Sequence, residues 1–202
     1  MSAEFVHLHV HSEFSMLDGA IRIPQLVESV GKMDMPAVAL TDNGNMFDAV
    51  QLVRACNKTK VKPILGCEVG FTAGDRGDPK NHELHHLLLL ASSQEGYQNL
   101  VRLVSAGWVD GMAVNDEPRI DFEMLQKHSK GVVGMSACMG GHVAQEILNK
   151  GPDVGREAIA KLRDSFDPGY FFIELQDHGF PENRPLNQVL GRLAKELDLP
   201  LV

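Results

Sequence analysis

The chain is expected to fold as an α/β protein with helices outside, more naturally a closed barrel of seven strands than an open sheet, although periodicity alone does not decide between them. Three observations support this expectation. Apolar, β-prone runs alternate with amphipathic segments almost from end to end. There are seven such runs, a number that suits a closed barrel better than an open sheet. Repeated β-α units also imply a mainly parallel arrangement, because parallel strands need crossover connections.

The strand candidates, in order, are Phe5–Val10, Ala37–Leu40, Pro63–Val69, Leu87–Ala91, Gly131–Met135, Tyr170–Leu175 and Leu199–Val202. Helical spacing lies between them. Ile23–Met33 has Pro24 in its first turn, where the missing N–H costs nothing. Met46–Asn57 puts Phe47, Val50, Val53 and Arg54 on helical rows, and Gln94–Trp108 repeats Tyr97, Leu100, Val101, Val104 and Trp108 at three- and four-residue steps. Val143–Leu148, Val154–Ser165 and Leu186–Leu197 follow the same rule. Thr72–His85, rich in Gly, Pro and Asp, is expected to be a loop. With no repeat, low-complexity tract or linker, residues 1–202 form one expected domain.

Composition narrows the class. Hydrophobic residues are 44% and charged residues 23%, ordinary for a globular protein. No apolar run approaches the roughly 20 residues of a membrane helix, and no basic-then-apolar leader opens the chain. Three cysteines without a C-x-x-C pair fit a reducing cytoplasm better than a disulfide scaffold. The formal net charge is −8, and only Lys58, Lys60 and Lys62 cluster. Binding of a phosphate polyanion would therefore need metal ions or another part of a larger polypeptide to supply the attraction.

The sharpest local signal is F-V-H-L-H-V-H-S at residues 5–12. In a strand, His7, His9 and His11 would share one face, with Val6, Leu8 and Val10 on the other. At two strand steps each, the imidazoles would stand roughly 6 to 7 Å apart, suited to one metal ion or a close pair. A single histidine in such a place would more simply be solvated. Other groups able to hold a divalent cation fall at the ends of the apolar runs: Asp18, Asp42, Asn43, Glu68, Cys138, Glu174, Asp177 and His178. Each has a plain structural explanation. Asp18 can cap a turn at Gly19, Asp42-Asn43-Gly44 and Asp177-His178-Gly179 are ready-made turns, and Cys138 can be a small buried hydrophobe. It is their coincidence at one expected rim that argues for a site.

The motifs H-L-H-V-H-S-E-F-S-M-L-D-G, A-L-T-D-x-G-N-M-F, K-P-I-L-G-C-E-V, G-Y-Q-N-L-V-R-L-V-S, M-S-A-C-M-G-G and F-I-E-L-Q-D-H-G occur in this order. Over essentially the whole chain they resemble the N-terminal polymerase-and-histidinol-phosphatase (PHP) domain of bacterial replicative DNA polymerase III alpha subunits. The resemblance implies the PHP fold, a distorted seven-stranded β/α barrel with up to three divalent ions, zinc or manganese, at its mouth. It implies a metal-dependent phosphodiester-cleaving site of the 3′–5′ exonuclease type, with His9, His11 and Glu68 at its catalytic centre. The metal ligands it implies are His9, His11, Asp18, Glu68, His86 and Cys138; His7 is then expected to lie deeper, as a packed or hydrogen-bonded barrel residue. His86 begins its apolar run instead of ending it, so that strand must be reversed if His86 is to reach the common rim. The implied partners are DNA, through the rest of a polymerase chain, a proofreading exonuclease subunit and other replicase subunits, with no membrane.

Two departures bear on activity. Where metal-competent members read T-D-H-G, this chain has Asn43, a weaker and neutral donor. The chain also stops at Val202, before an Asp and a His that complete the family's site, which suggests a fragment whose last strand is cut. Alternative functions are a non-catalytic docking module of the polymerase and a stand-alone phosphatase acting on a small phosphate monoester.

Overall fold

In the computed structural model, residues 5–111 and 117–202 are described. Seven helices and six strands are found among them. The helices are α1 (Ile23–Lys32), α2 (Ala49–Cys56), α3 (Gln94–Asp110), α4 (Phe122–His128), α5 (His142–Lys150), α6 (Pro152–Arg163) and α7 (Asn183–Glu196). The strands are β1 (Ala37–Leu40), β2 (Lys62–Phe71), β3 (His85–Ala91), β4 (Arg119–Ile120), β5 (Val132–Met135) and β6 (Phe171–Phe172).

The strand order β1-β2-β3-β5-β6 follows the chain, with β4 attached in parallel to the far end of β2. Single backbone bridges extend the sheet at both edges. His7 pairs in parallel with Val38 on one side, and Leu201 pairs in parallel with Ile173 on the other. This makes seven neighbouring strand positions that curl into a barrel-like α/β fold.

β3 is the exception to the parallel rule. It runs antiparallel to both β2 and β5. Its start therefore lies at the rim where the other strands end, which resolves the apparent misplacement of His86. The link from β2 to β3 is the expected loop, and Arg119, 1% exposed, holds it shut. The guanidinium donates to the carbonyls of Arg76, Asp78, Asn81 and Glu83, a polar staple for a Gly-, Pro- and Asp-rich segment.

Three apolar clusters set the layers. Val38 and Leu40 of β1 pack against Ile23, Val27, Val30 and Leu52 of α1 and α2. Cys67, Val69 and Phe71 of β2 face Leu100 and Leu103 of α3 and the helices that follow. Ala39, Leu88, Leu90 and Met135 fill the barrel interior. The clean alternation along β2 and β3 is what lets Glu68 point inward between outward-facing Cys67 and Val69.

The first segment departs from the regular strand expected of it. Leu8 packs into the barrel interior, whereas Val10 packs with α1 and α2. A bend at His9 breaks the two-residue period. Hydrogen bonds from Ala39 N to His7 O and Thr41 N to Val10 O, both 2.9 Å, still hold the segment beside β1.

Candidate metal centre

The cleft is built around one carboxylate. Glu68, 4% exposed, sits at the inner face of β2. His11 Nε2 is 2.9 Å and His9 Nε2 3.5 Å from Oε2, and His86 Nδ1 is 2.8 Å from Oε1. Cys138 Sγ lies 3.9 Å from Oε1 and 3.7 Å from His86 Nδ1. Donor atoms of His9, His11 and Glu68 all lie within 4.8 Å of one another, and so do those of Glu68, His86 and Cys138. Glu68 is common to both groups.

Local backbone chemistry explains how each side chain arrives. Glu68 and His86 are diagonal neighbours on paired strands, since His86 is opposite Gly70. After β1, Asp42 accepts from Ser12 N, Ser12 Oγ and Ser15 Oγ, each at 2.6 Å. This fully buried carboxylate ties down the loop that carries His11, so Asp42 positions the site instead of facing the cleft. The same loop turns back at Gly19, where a Cβ would lie 1.8 Å from Ser12 O. Cys138 follows Ala137, whose φ of 61° is a rare left-handed conformation for a residue with a side chain. Strain of this kind persists only where surrounding structure enforces it.

A second carboxylate stands behind the first histidine. Glu174 Oε1 lies 2.8 Å from His9 Nδ1, and Gln176 Nε2 donates to Glu174 Oε1 at 2.6 Å. The pair spans the first segment and the end of β6. A carboxylate on the rear nitrogen of an imidazole fixes its orientation and raises the basicity of its front nitrogen. Its signal was present in F-I-E-L-Q-D-H-G, but sequence placed Glu174 only at the rim, without this partner.

Electrostatics follow from the crowding. Burial, the largest influence on Glu68, favours its neutral form, yet the imidazoles of His11, His86 and His9 hold the carboxyl well below the usual carboxylate range. Burial likewise opposes charge on His9, but Glu174 and Glu68 lift it to about 10. Cys138 and then Glu68 lift His86 to about 10. These shifts describe a nest that favours positive charge.

The donor set fits a divalent ion. Imidazole, carboxylate and thiol together match zinc-like chemistry. His11 Nε2 is buried and stands beside Glu68, yet lacks an aligned hydrogen-bond partner. A bound cation would satisfy it.

Other expected residues fall differently. Asp18 is exposed at the mouth and belongs to neither of these groups, although it lines the same cleft. Asn43 lines the cleft too and donates through Nδ2 to Asp18 Oδ2 at 3.0 Å. His7 is exposed at the edge of the cleft against the Phe5 ring, contrary to the packed position expected for it. The bend at His9 accounts for this, because it removes His7 from the face shared by His9 and His11. Asp177 is exposed beyond the end of β6, whereas His178, also exposed, lines the cleft.

Fold and cleft together define a PHP domain. Residues 7–178 match the PHP domain family, and the chain belongs to it. DNA polymerase III subunit alpha of Thermus aquaticus is 40% identical over 208 residues, covering 98% of this chain and 17% of the relative. The subunit of Treponema pallidum (strain Nichols) is 38% identical over 202 residues, with the same coverages. The chain thus spans about a sixth of the length of these curated relatives. Among solved structures, an amidohydrolase from Chromobacterium violaceum with bound sulfate superposes with a TM-score of 0.61 at 15% identity, covering 97% of this chain and 84% of that one. A protein from Bifidobacterium adolescentis, described as a metal-dependent phosphoesterase, gives 0.59 at 15% identity, covering 99% and 86%. These two likenesses concern the fold. No described helix is long and apolar enough to cross a membrane.

Proposed function

We propose that the cleft is a divalent-metal phosphodiesterase site, and that the chain serves as the PHP domain of a DNA polymerase III alpha subunit. The observation that carries the first part is the convergence of His9, His11, His86 and Cys138 on the single buried carboxylate of Glu68. The second part is supported by relatives that are DNA polymerase III alpha subunits at 34–40% identity.

In this reading His9, His11 and Glu68 hold one ion, Glu68, His86 and Cys138 hold a second, and Asp18 supplies a ligand from the mouth. Zinc or manganese suits these donors, with zinc favoured by the thiol. Bound ions would acidify a water and neutralise phosphoryl oxygens, and they would offset the acidic surface. The chain's own part is positioning. Glu174 and Gln176 orient His9, Asp42 fixes the His11 loop, and the strained turn at Ala137 presents Cys138. The cleft, about 690 Å³, is open and lined by Ala20, Ile21 and Leu26 beside the ligands.

A second reading, a docking module without cleavage of its own, is favoured by Asn43. Its carboxamide is engaged with Asp18 where a ring nitrogen would otherwise face the cleft.

The test is cleavage of a 5′-labelled single-stranded oligonucleotide in the presence of manganese or zinc. Stepwise 3′–5′ shortening that falls at least about 100-fold in His11→Ala supports the nuclease. A folded, metal-loaded protein that leaves the oligonucleotide intact supports the docking reading.

A further inference from the structure

His85 and His86 are consecutive on β3 and therefore face opposite ways. His86 enters the cleft. His85 points to the rear of the strand, where α5 packs, and meets a second cluster. Donor atoms of Glu83, His85, His142 and Glu146 all lie within 4.8 Å of one another.

We propose that these four residues form a separate zinc-type binding site that staples the start of β3 to the first turns of α5. The inference is independent of the function proposed for the cleft.

The spacing is that of a ligand set. Glu83 and His85 are two residues apart at the entry to β3, and their side chains meet. His142 and Glu146 are four apart on one face of α5. Two imidazoles and two carboxylates give a four-donor N2O2 set of the kind that zinc takes tetrahedrally. His85 Nε2 and Glu83 Oε1 are already 3.0 Å apart, close to the separation of about 3.3 Å that two ligands of one tetrahedral zinc would have.

An independent sign comes from His142. The residue is 5% exposed and its Nδ1 is buried without a hydrogen-bond partner. A buried ring nitrogen in that state costs free energy unless something fills its lone pair. The rings of Phe71 and Phe122 stand 5.3 and 6.4 Å from it, so the surroundings are apolar. The carboxylates of Glu83 and Glu146 stand beside this ring and supply the negative charge that a bound cation would share with Lys150.

Outer contacts also resemble those of a built site. Thr72 Oγ1 and Ala73 N donate to Glu83 Oε2 at 2.8 and 3.0 Å, which orients the carboxylate. Lys150 Nζ donates to Glu146 Oε1 at 2.8 Å.

The staple has a structural consequence. His86 N donates to Gly140 O at 3.0 Å, and the turn Cys138–Gly141 leads straight into His142. An ion on the rear face would fix the backbone that presents His86 and Cys138 to the cleft.

Metal content after dialysis against zinc tests this, together with the melting shift that zinc produces. The parent protein, a cleft variant that removes ligands of both proposed cleft ions (His11→Ala/Glu68→Gln/His86→Ala) and His142→Gln/Glu146→Gln are compared. The proposal expects one equivalent fewer in the rear-face variant than in the parent. It also expects the cleft variant to keep one equivalent and a zinc-induced rise in melting temperature. If the rear-face double variant does not fold, Glu146→Gln alone decides, with an expected loss of tenfold or more in zinc affinity at this site. Zinc content and melting shift unchanged in the rear-face variants would overturn the proposal and leave an ordinary hydrogen-bonded network. So would a folded cleft variant that retains no zinc.

Discussion

His11 Nε2 stands 2.9 Å from Glu68 Oε2 without forming an aligned hydrogen bond, while His86 Nδ1 engages the opposite oxygen of the same carboxylate at 2.8 Å. A carboxylate shared in this way can bridge two ions. Glu68→Gln removes the shared anion, and its amide N–H2 cannot act as a ligand. Both proposed cleft ions should be weakened together, so metal titration should show two sites lost, with affinity reduced on the order of 100-fold or more. Loss of one ion with the other intact would place Glu68 in a single sphere.

Glu174→Gln addresses the support behind His9. The amide keeps the shape but loses the charge on Nδ1. Metal affinity should fall about 10- to 100-fold, as it does for carboxylates behind metal-bound histidines elsewhere. The His11 and His86 contacts should persist. Competition against a chromophoric chelator measures the change.

Asn43→His should raise metal affinity, because imidazole is a better donor than a carboxamide and Asn43 already lines the cleft. It also frees Asp18 from its bond to Nδ2. Unchanged affinity by the same titration would show that position 43 does not reach the ions.

Asp48 gives a pH signature away from the cleft. Its carboxyl is 1% exposed and both oxygens lack hydrogen-bond partners. Burial, reinforced by Asp42, pushes it up to about 7 from 3.8. A raised carboxyl pKa means that the folded state binds the extra proton. The associated stability is fully present below about pH 4 and is lost as pH rises through about 7. Asp48→Asn should remove this dependence, and the stability difference between variant and parent should grow by about 2 to 4 kcal/mol from pH 4 to pH 8. Chemical denaturation at both pH values measures it.

Arg119→Met should loosen residues 76–83. Four carbonyls lose their shared donor. Each loss of a buried donor costs about 1 kcal/mol or more, and a total of about 2 to 4 kcal/mol is expected because water can reach part of the loop. Hydrogen exchange should accelerate there first.

Much of the architecture was legible in the sequence because long apolar runs and helical spacing mark elements directly. The α1, α3, α5, α6 and α7 segments lie where spacing placed them, and β2 and β3 only lengthen the expected runs. The short elements β4 and α4 escaped, since two strand residues or seven helical ones carry too little period to stand out. Strand direction was equally hidden. Only the position of His86 hinted that β3 is reversed. In the cleft, His9, His11, Glu68, His86 and Cys138 were readable from motifs and do converge. Asp18 was readable but stands apart, at the mouth. Glu174 behind His9 was not assigned, because 165 residues separate the partners and no local pattern joins them. The bend at His9 was invisible as well, so three alternating histidines promised a wall that the structure delivers as two.

The most direct measurement of the central claim is anomalous diffraction from crystals grown with zinc or manganese. The account predicts a peak within about 2.0 to 2.3 Å of His9, His11 and Glu68, and another beside Glu68, His86 and Cys138. Crystals that show no peak at either place, with Glu68 still in direct contact with the three imidazoles, would contradict it.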